Sequence, residues 1–153
     1  MASTTPSTSS SSRAVFVRPV HEDIALLLLR VTLALNLLLH GIAKIVHPES
    51  LGWIGDQLSS RGLPAFLSYG VFMGELVAPA LILVGLFTRP AAALVVVNMI
   101  FALFLAHSGE LFSLNETGGW AIELQSFYLM VAVVLMITGA GRFGVVKGNG
   151  RLH

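Results

Sequence analysis

IALLLLRVTLALNLLLHGIAKIV, residues Ile24 to Val46, is the stretch whose reading decides the fold. It is apolar and long enough for the roughly 20 residues that a helix needs to cross a bilayer. Yet it carries Arg30, Asn36, His40 and Lys44. At about 100° per residue these four fall within about a third of the helix circumference. Lipid offers no hydrogen bonds, so such a face must turn toward other helices or a cavity. The stretch therefore predicts a membrane span with one polar, inward face.

The rest of the chain repeats this pattern. Hydrophobic residues make up 55% of the 153 residues and charged residues only 11%, where a soluble domain carries about 25% charged. A second apolar run covers about Ala65 to Phe87 and contains Glu75 and Pro79. A third covers about Pro90 to Ala106 and contains Asn98. A fourth covers about Ala121 to Thr138, with Glu123 and Gln125 near its start. Only Thr88 and Arg89 separate the second and third runs, so these must be antiparallel neighbours. Pro79 removes one backbone donor and predicts a kink one turn from Glu75. Between the first two runs, Pro48 and Glu49 suit a helix start and Gly62 a stop. Leu51, Ile54 and Leu58 share a face there, and Trp53 suits an interface, so a short helix lying on the membrane surface is expected.

The fold class expected is thus all-α: an integral membrane four-helix bundle with a short interfacial helix between helices one and two. Residues 1–20 form a Ser/Thr-rich tail expected to be disordered, 21–143 the transmembrane domain and 144–153 a basic tail. Arg13, Arg18, Arg89, Arg142, Lys147 and Arg151 fall on one side of the bundle and Lys44 and Arg61 on the other. The excess of positive charge marks the cytoplasmic side, which places both termini there. A net charge of +1 gives no basic patch for nucleic acid. With no cysteine, disulfides, dithiol motifs, iron–sulfur clusters and thiolate nucleophiles are excluded within the chain. The five histidines form no dense metal-ligand motif, and haem ligation by His40 and His107 is the weaker reading.

Depth then selects the candidate site. With a rise of about 1.5 Å per residue, Asn36, His40, Glu75 and Asn98 lie roughly 10–17 Å below the outer ends of their helices. Lys44, His107 and Glu123 sit nearer the outer mouth. Such a layout suits either a polar pocket open to the outside or a hydrogen-bonded lock between helices. Glu75 is the sharpest signal, because a carboxylate near the bilayer midplane is costly unless paired or protonated. Its candidate partners are His40, Lys44 and Arg30.

In the residues Arg30, His40-Gly41-Ile42-Ala43-Lys44, Gly74-Glu75, Leu83-Val84-Gly85-Leu86-Phe87-Thr88-Arg89 and Gly139-Ala140-Gly141-Arg142-Phe143, the chain resembles the DoxX family of small bacterial membrane proteins. The resemblance covers about Leu26 to Phe143. It implies a four-helix protein of the bacterial inner membrane, with an oxidoreductase assignment and relatives that include a subunit of a thiosulfate:quinone oxidoreductase. It also carries Arg30, His40, Lys44 and Glu75 over as site residues.

The function expected is a membrane redox component binding a quinone, and an anionic sulfur-containing substrate, in a pocket within the bundle. Glu75 and His40 are the expected catalytic pair, exchanging protons. Arg30, Asn36, Lys44, Asn98 and His107 are expected to bind substrate or quinone. The alternatives are a non-catalytic membrane anchor or assembly partner for a redox or stress-response enzyme, and a proton-coupled carrier of a small anion that would need a dimer. The partners expected are the lipid bilayer and a partner oxidoreductase subunit or a homo-oligomer.

Overall fold

The computed structural model describes residues 19–145, whose named elements are all helices, with one isolated β-bridge between Leu114 and Trp120 in the loop before the last. Most of the expected N-terminal and C-terminal tails, residues 1–18 and 146–153, lies outside the described residues. Helix α1 is Val20–Val46, α2 is Glu49–Ser59, α3 is Ala78–Val84, α4 is Thr88–Ala106 and α5 is Glu123–Thr138. The second apolar segment, Ala65–Val84, ends in α3 but begins with a 3₁₀ stretch, Ala65–Gly70, and a π turn, Met73–Val77. Among the described residues, three segments are long and apolar enough to cross a membrane: Val20–Val46, Ala65–Val84 and Thr88–Ala106. The fourth apolar helix, α5, is shorter, at 16 residues.

The expected kink at Pro79 takes a different form. Pro79 sits in the first turn of α3, where its missing N–H costs least. The disturbance falls one turn earlier, where the Ala78 N–H reaches back five residues to the Met73 carbonyl. A proline that cannot bond to the carbonyl four residues before it leaves the Glu75 carbonyl without its helical donor. The π turn is the local answer, and Glu75 lies inside it.

The α1 helix packs against α3, α3 against α4, α4 against α5, and α5 returns to α1. Their shared core is Leu26, Leu33, Ala34 and Leu37 of α1, Ala78 and Ile82 of α3, Ala91, Ala92, Val95 and Met99 of α4, and Ala132 and Leu135 of α5. The many alanines let helices approach closely, as packing within lipid requires. The outward surface is apolar in turn: Leu28, Leu39, Ile45, Val97, Phe104, Phe127, Met130 and Ile137 are all exposed.

Both described chain ends meet at one end of the bundle. Asp23, buried near the start of α1, accepts a hydrogen bond from the Arg142 backbone N–H at 3.0 Å, and the Arg142 Nε lies 3.6 Å from its other oxygen. Arg30 is 1% exposed. Its Nε donates to the Ile82 carbonyl at 3.0 Å, Nη2 to Leu83 at 3.1 Å and Nη1 to Ala140 at 2.9 Å. Carbonyls at and just past a helix end lack a helical donor. The guanidinium supplies one to Leu83 and Ala140 and adds a second to Ile82, which also accepts the Gly85 N–H. Gly85, with φ +79°, ends α3 in the left-handed conformation, and a Cβ there would collide with the guanidinium. Arg30 is thus a clasp across α1, α3 and the turn after α5.

At the opposite, loop end, Arg61 follows α2. Its guanidinium donates to the Leu105 carbonyl in the last turn of α4 at 3.1 Å and lies over the Phe104 ring. This contact fixes α2 above the end of α4.

Candidate functional site

Two glycines bring three segments together below α2. A Cβ on Gly41 would stand 2.7 Å from the Glu75 carbonyl oxygen and 2.5 Å from the Leu76 side chain. A Cβ on Gly74 would collide with the Asn98 side chain. Only hydrogen fits at either position, so α1, the π turn and α4 meet at one level. Lys44 then reaches Glu75, with Nζ 2.5 Å from Oε2. Glu75 is only 6% exposed, and the lysine neutralises a carboxylate that could not otherwise be left charged there. Of its three expected partners, Glu75 takes Lys44.

Around this pair lies a cavity of about 510 Å³. His40 and Lys44 of α1, Glu75 and Gly74 of the π turn, Asn98 and Met99 of α4, His107 after it, and Leu124, Gln125 and Tyr128 of α5 all line it. Trp53, Ile54 and Leu58 of α2 form its roof. Most of the wall is apolar, with few polar groups, as in sites that bind a small organic molecule. His40 lines the cavity and is also exposed, so the cavity reaches the surface beside it.

The polar atoms divide into satisfied and unsatisfied. The His40 Nδ1 lies 2.8 Å from the Asn36 carbonyl, which can only accept, so Nδ1 carries a proton and Nε2 is left available. The ring meets Tyr128 edge-on, with centroids 6.0 Å apart. The His107 Nδ1 donates to Glu110 at 2.7 Å, and its Nε2 lies 3.0 Å from the Gln125 Nε2. Two buried atoms at the cavity wall have no partner: Asn98 Nδ2, a donor, and Gln125 Oε1, an acceptor. A buried polar atom left unpaired costs about 1–3 kcal/mol, and a water or a ligand group in the cavity would complete either one.

His40, Lys44, Glu75, Asn98 and His107 are therefore brought together as expected from their depths. Arg30 and Asn36 are not. Arg30 shares a face with Lys44 but lies a further 14 residues along α1, roughly 21 Å away along the axis, and its donors are spent on three carbonyls. The substrate-binding role expected of Arg30 is corrected to a structural one. Asn36 turns its amide back to the Thr32 carbonyl at 2.8 Å and does not line the cavity; it acts on the site only through the carbonyl that holds His40. Gln125 and Tyr128 were absent from the expected site. Their spacing of three residues on one helix was the available signal, since it places both on one face. Among the described residues no group of three or more His, Asp or Glu side chains could hold a metal ion.

The model of the DoxX family matches residues 25–108, more than half of the chain. The chain belongs to the DoxX family. The match runs from α1 through His107 and so includes every cavity residue named above except those of α5; the Gly139–Phe143 run lies beyond it. Two relatives extend over more of this DoxX chain. An uncharacterized protein of Haemophilus influenzae is 36% identical over 121 residues, 74% of this chain and 81% of the relative. A Bacillus subtilis protein named "Putative oxidoreductase CatD" is 30% identical over 118 residues, 77% of this chain and 81% of the relative. No solved structure matches. Family and spans together make the chain a multi-pass membrane protein.

Proposed function

We propose that this DoxX protein is a redox component of a bacterial inner membrane that holds a quinone head group in the cavity beside Glu75. The observation that carries the reading is the unpaired donor and unpaired acceptor, Asn98 Nδ2 and Gln125 Oε1, at the wall of one apolar cavity. A quinone ring is apolar, its carbonyls accept hydrogen bonds and its reduced hydroxyls donate them, so it fits both orphans. The cavity reaches the surface beside His40, near the exposed Leu39 and Ile42, which suits a ligand that arrives from lipid. The printed name of the Bacillus subtilis relative agrees with redox work.

A bound quinone would supply two-electron, two-proton chemistry. The chain's own residues would bind and manage protons around it. Asn98 would donate to a carbonyl and Gln125 would accept from a hydroxyl. Glu75, held by Lys44, would take or give a proton at Oε1 or Oε2, and His40 would do so at Nε2. With no cysteine, a sulfur anion would act as bound substrate only, and a partner subunit is the other source of electrons. In this reading α5 is a fourth span, about 24 Å long, and α2 lies at the interface with Trp53 as its anchor. Both termini are cytoplasmic and the cavity opens toward the outer half.

The test is mass spectrometry of lipids retained after purification in mild detergent, comparing the wild type with Asn98→Ala. Wild-type protein should retain quinone near stoichiometrically, and the variant should lose at least about tenfold of it, one hydrogen bond's worth, while melting as the wild type does. Wild-type protein free of quinone, or equal retention in both, would overturn the reading and favour an anchoring role.

A further inference from the structure

Gln125 stands in the first turns of α5 and meets His107, the residue that closes α4. Glu110 can only accept, so the His107 proton sits on Nδ1. The Gln125 Nε2 can only donate, so in this arrangement the His107 Nε2 opposite it presents a lone pair. One end of the amide is thus fixed by the imidazole. The other end, Oε1, is left at the cavity wall as an acceptor.

We infer that the protonation state of His107 sets which end of the Gln125 amide faces the cavity, and so whether the site favours a ligand hydroxyl or a ligand carbonyl. A proton on Nε2 turns that atom into a donor, 3.0 Å from a second donor. The contact becomes repulsive. Rotation about the last side-chain torsion, which has two nearly equivalent settings, exchanges the amide oxygen and nitrogen. Oε1 then accepts from His107, and the NH₂ group stands at the cavity wall. The acceptor that a hydroxyl needs is withdrawn, and the donor that a carbonyl needs takes its place.

The groups around the imidazole are few. Glu110 is bonded to it from its own turn, Arg61 reaches the nearby Leu105 carbonyl from the α2 side, and Glu123 stands at the start of α5. His40 and the Lys44–Glu75 pair lie on the other walls of the same cavity. Gln125 both contacts His107 and lines the cavity with an unpaired atom. The device would let a proton entering at the loop end, through the Glu110 side of His107, change the preference of a buried site. The identity of the ligand rests on the quinone reading; the amide switch does not.

The experiment has two arms, both on the full chain in lipid nanodiscs. In ¹⁵N-labelled protein, an N–H···N bond transmits a measurable ¹⁵N–¹⁵N coupling between the Gln125 Nε2 and the His107 Nε2. The coupling should be present while the His107 ring is neutral and vanish when the ring shifts show it protonated. A coupling that survives protonation, or is missing from the neutral state, overturns the inference. In the second arm, a short-chain benzoquinone and its hydroquinone are titrated anaerobically across the same pH range. The ratio of hydroquinone to quinone affinity should fall by about tenfold as His107 protonates, the worth of one hydrogen bond. In His107→Gln, whose side-chain oxygen still accepts from Gln125 but does not titrate, that fall should be missing. Every other pH-dependent group is common to both proteins, so the difference between them reads His107. An equal fall in both proteins overturns the role of His107. A coupling that switches in a protein that binds neither molecule supports the switch and refutes the quinone reading.

Discussion

Arg30→Met will destabilise the protein by about 3 kcal/mol or more, the largest loss expected of any single side chain here. The substitution keeps length and apolar packing but removes the guanidinium donor of the Leu83 and Ala140 carbonyls and leaves Ile82 with the Gly85 N–H alone, at a position only 1% exposed. Each orphaned buried carbonyl costs about 1–3 kcal/mol, and the bonds lost are charge-assisted. Arg30→Lys should recover less than half of the loss, because an ammonium is a point charge and cannot serve three divergent acceptors as the planar guanidinium does. Equilibrium unfolding in mixed micelles measures both. A Met variant within about 0.5 kcal/mol of wild type, the range of an ordinary surface substitution, would show that the clasp carries no weight.

Gly41→Leu will empty the site. The first added carbon alone would stand 2.7 Å from the Glu75 carbonyl oxygen, so α1 and the π turn must part. Overpacking of this kind costs about 1–3 kcal/mol. The functional loss should be larger, because parting these segments pulls Glu75 away from Lys44 and opens the cavity floor. Quinone retention should fall below detection. Gly52→Ala is the matched control: nothing lies within 4 Å of the Cβ it would add in α2, and removing a helix-interior glycine should raise stability by about 0.5–1 kcal/mol. If Gly41→Leu folded with wild-type stability and wild-type ligand content, the close approach of α1 to the π turn would not be what builds the site.

These two substitutions also mark what was legible in the sequence. The polar face of α1 was readable from spacing alone, because four residues at helical period cannot face lipid. What spacing could not do was separate the face into levels of different purpose. Arg30 and Lys44 point the same way, yet one clasps the terminal end and the other pairs in the cavity. Their destinies depend on what lies opposite: carbonyls of α3 and of the turn after α5 in one case, Glu75 in the other. The runs around Gly85 and Gly139–Phe143 had no evident task until the guanidinium was seen between them.

Pro79 was read as a kink, and the residue it disturbs is the one that matters, since the π turn holds Glu75. A π turn is a compromise between a missing donor and the packing around it, and only the second of these is invisible in a sequence. Gln125 escaped for a related reason. It lies at the start of α5, and whether that face meets the cavity or the lipid depends on the rotation of α5 against α4, a choice made by packing of Ala132 and Leu135 into a shared core.

The central claim is that the cavity beside Glu75 receives a quinone head group. Photolabelling of native membranes with an azidoquinone, followed by mapping of the labelled peptides, tests it most directly. The account predicts label on the cavity wall, in residues 97–107 of α4 and its end or residues 124–128 of α5, displaced by excess unlabelled quinone. Label confined to the lipid-facing Leu28, Met130 and Ile137, or label that excess quinone does not displace, would contradict it.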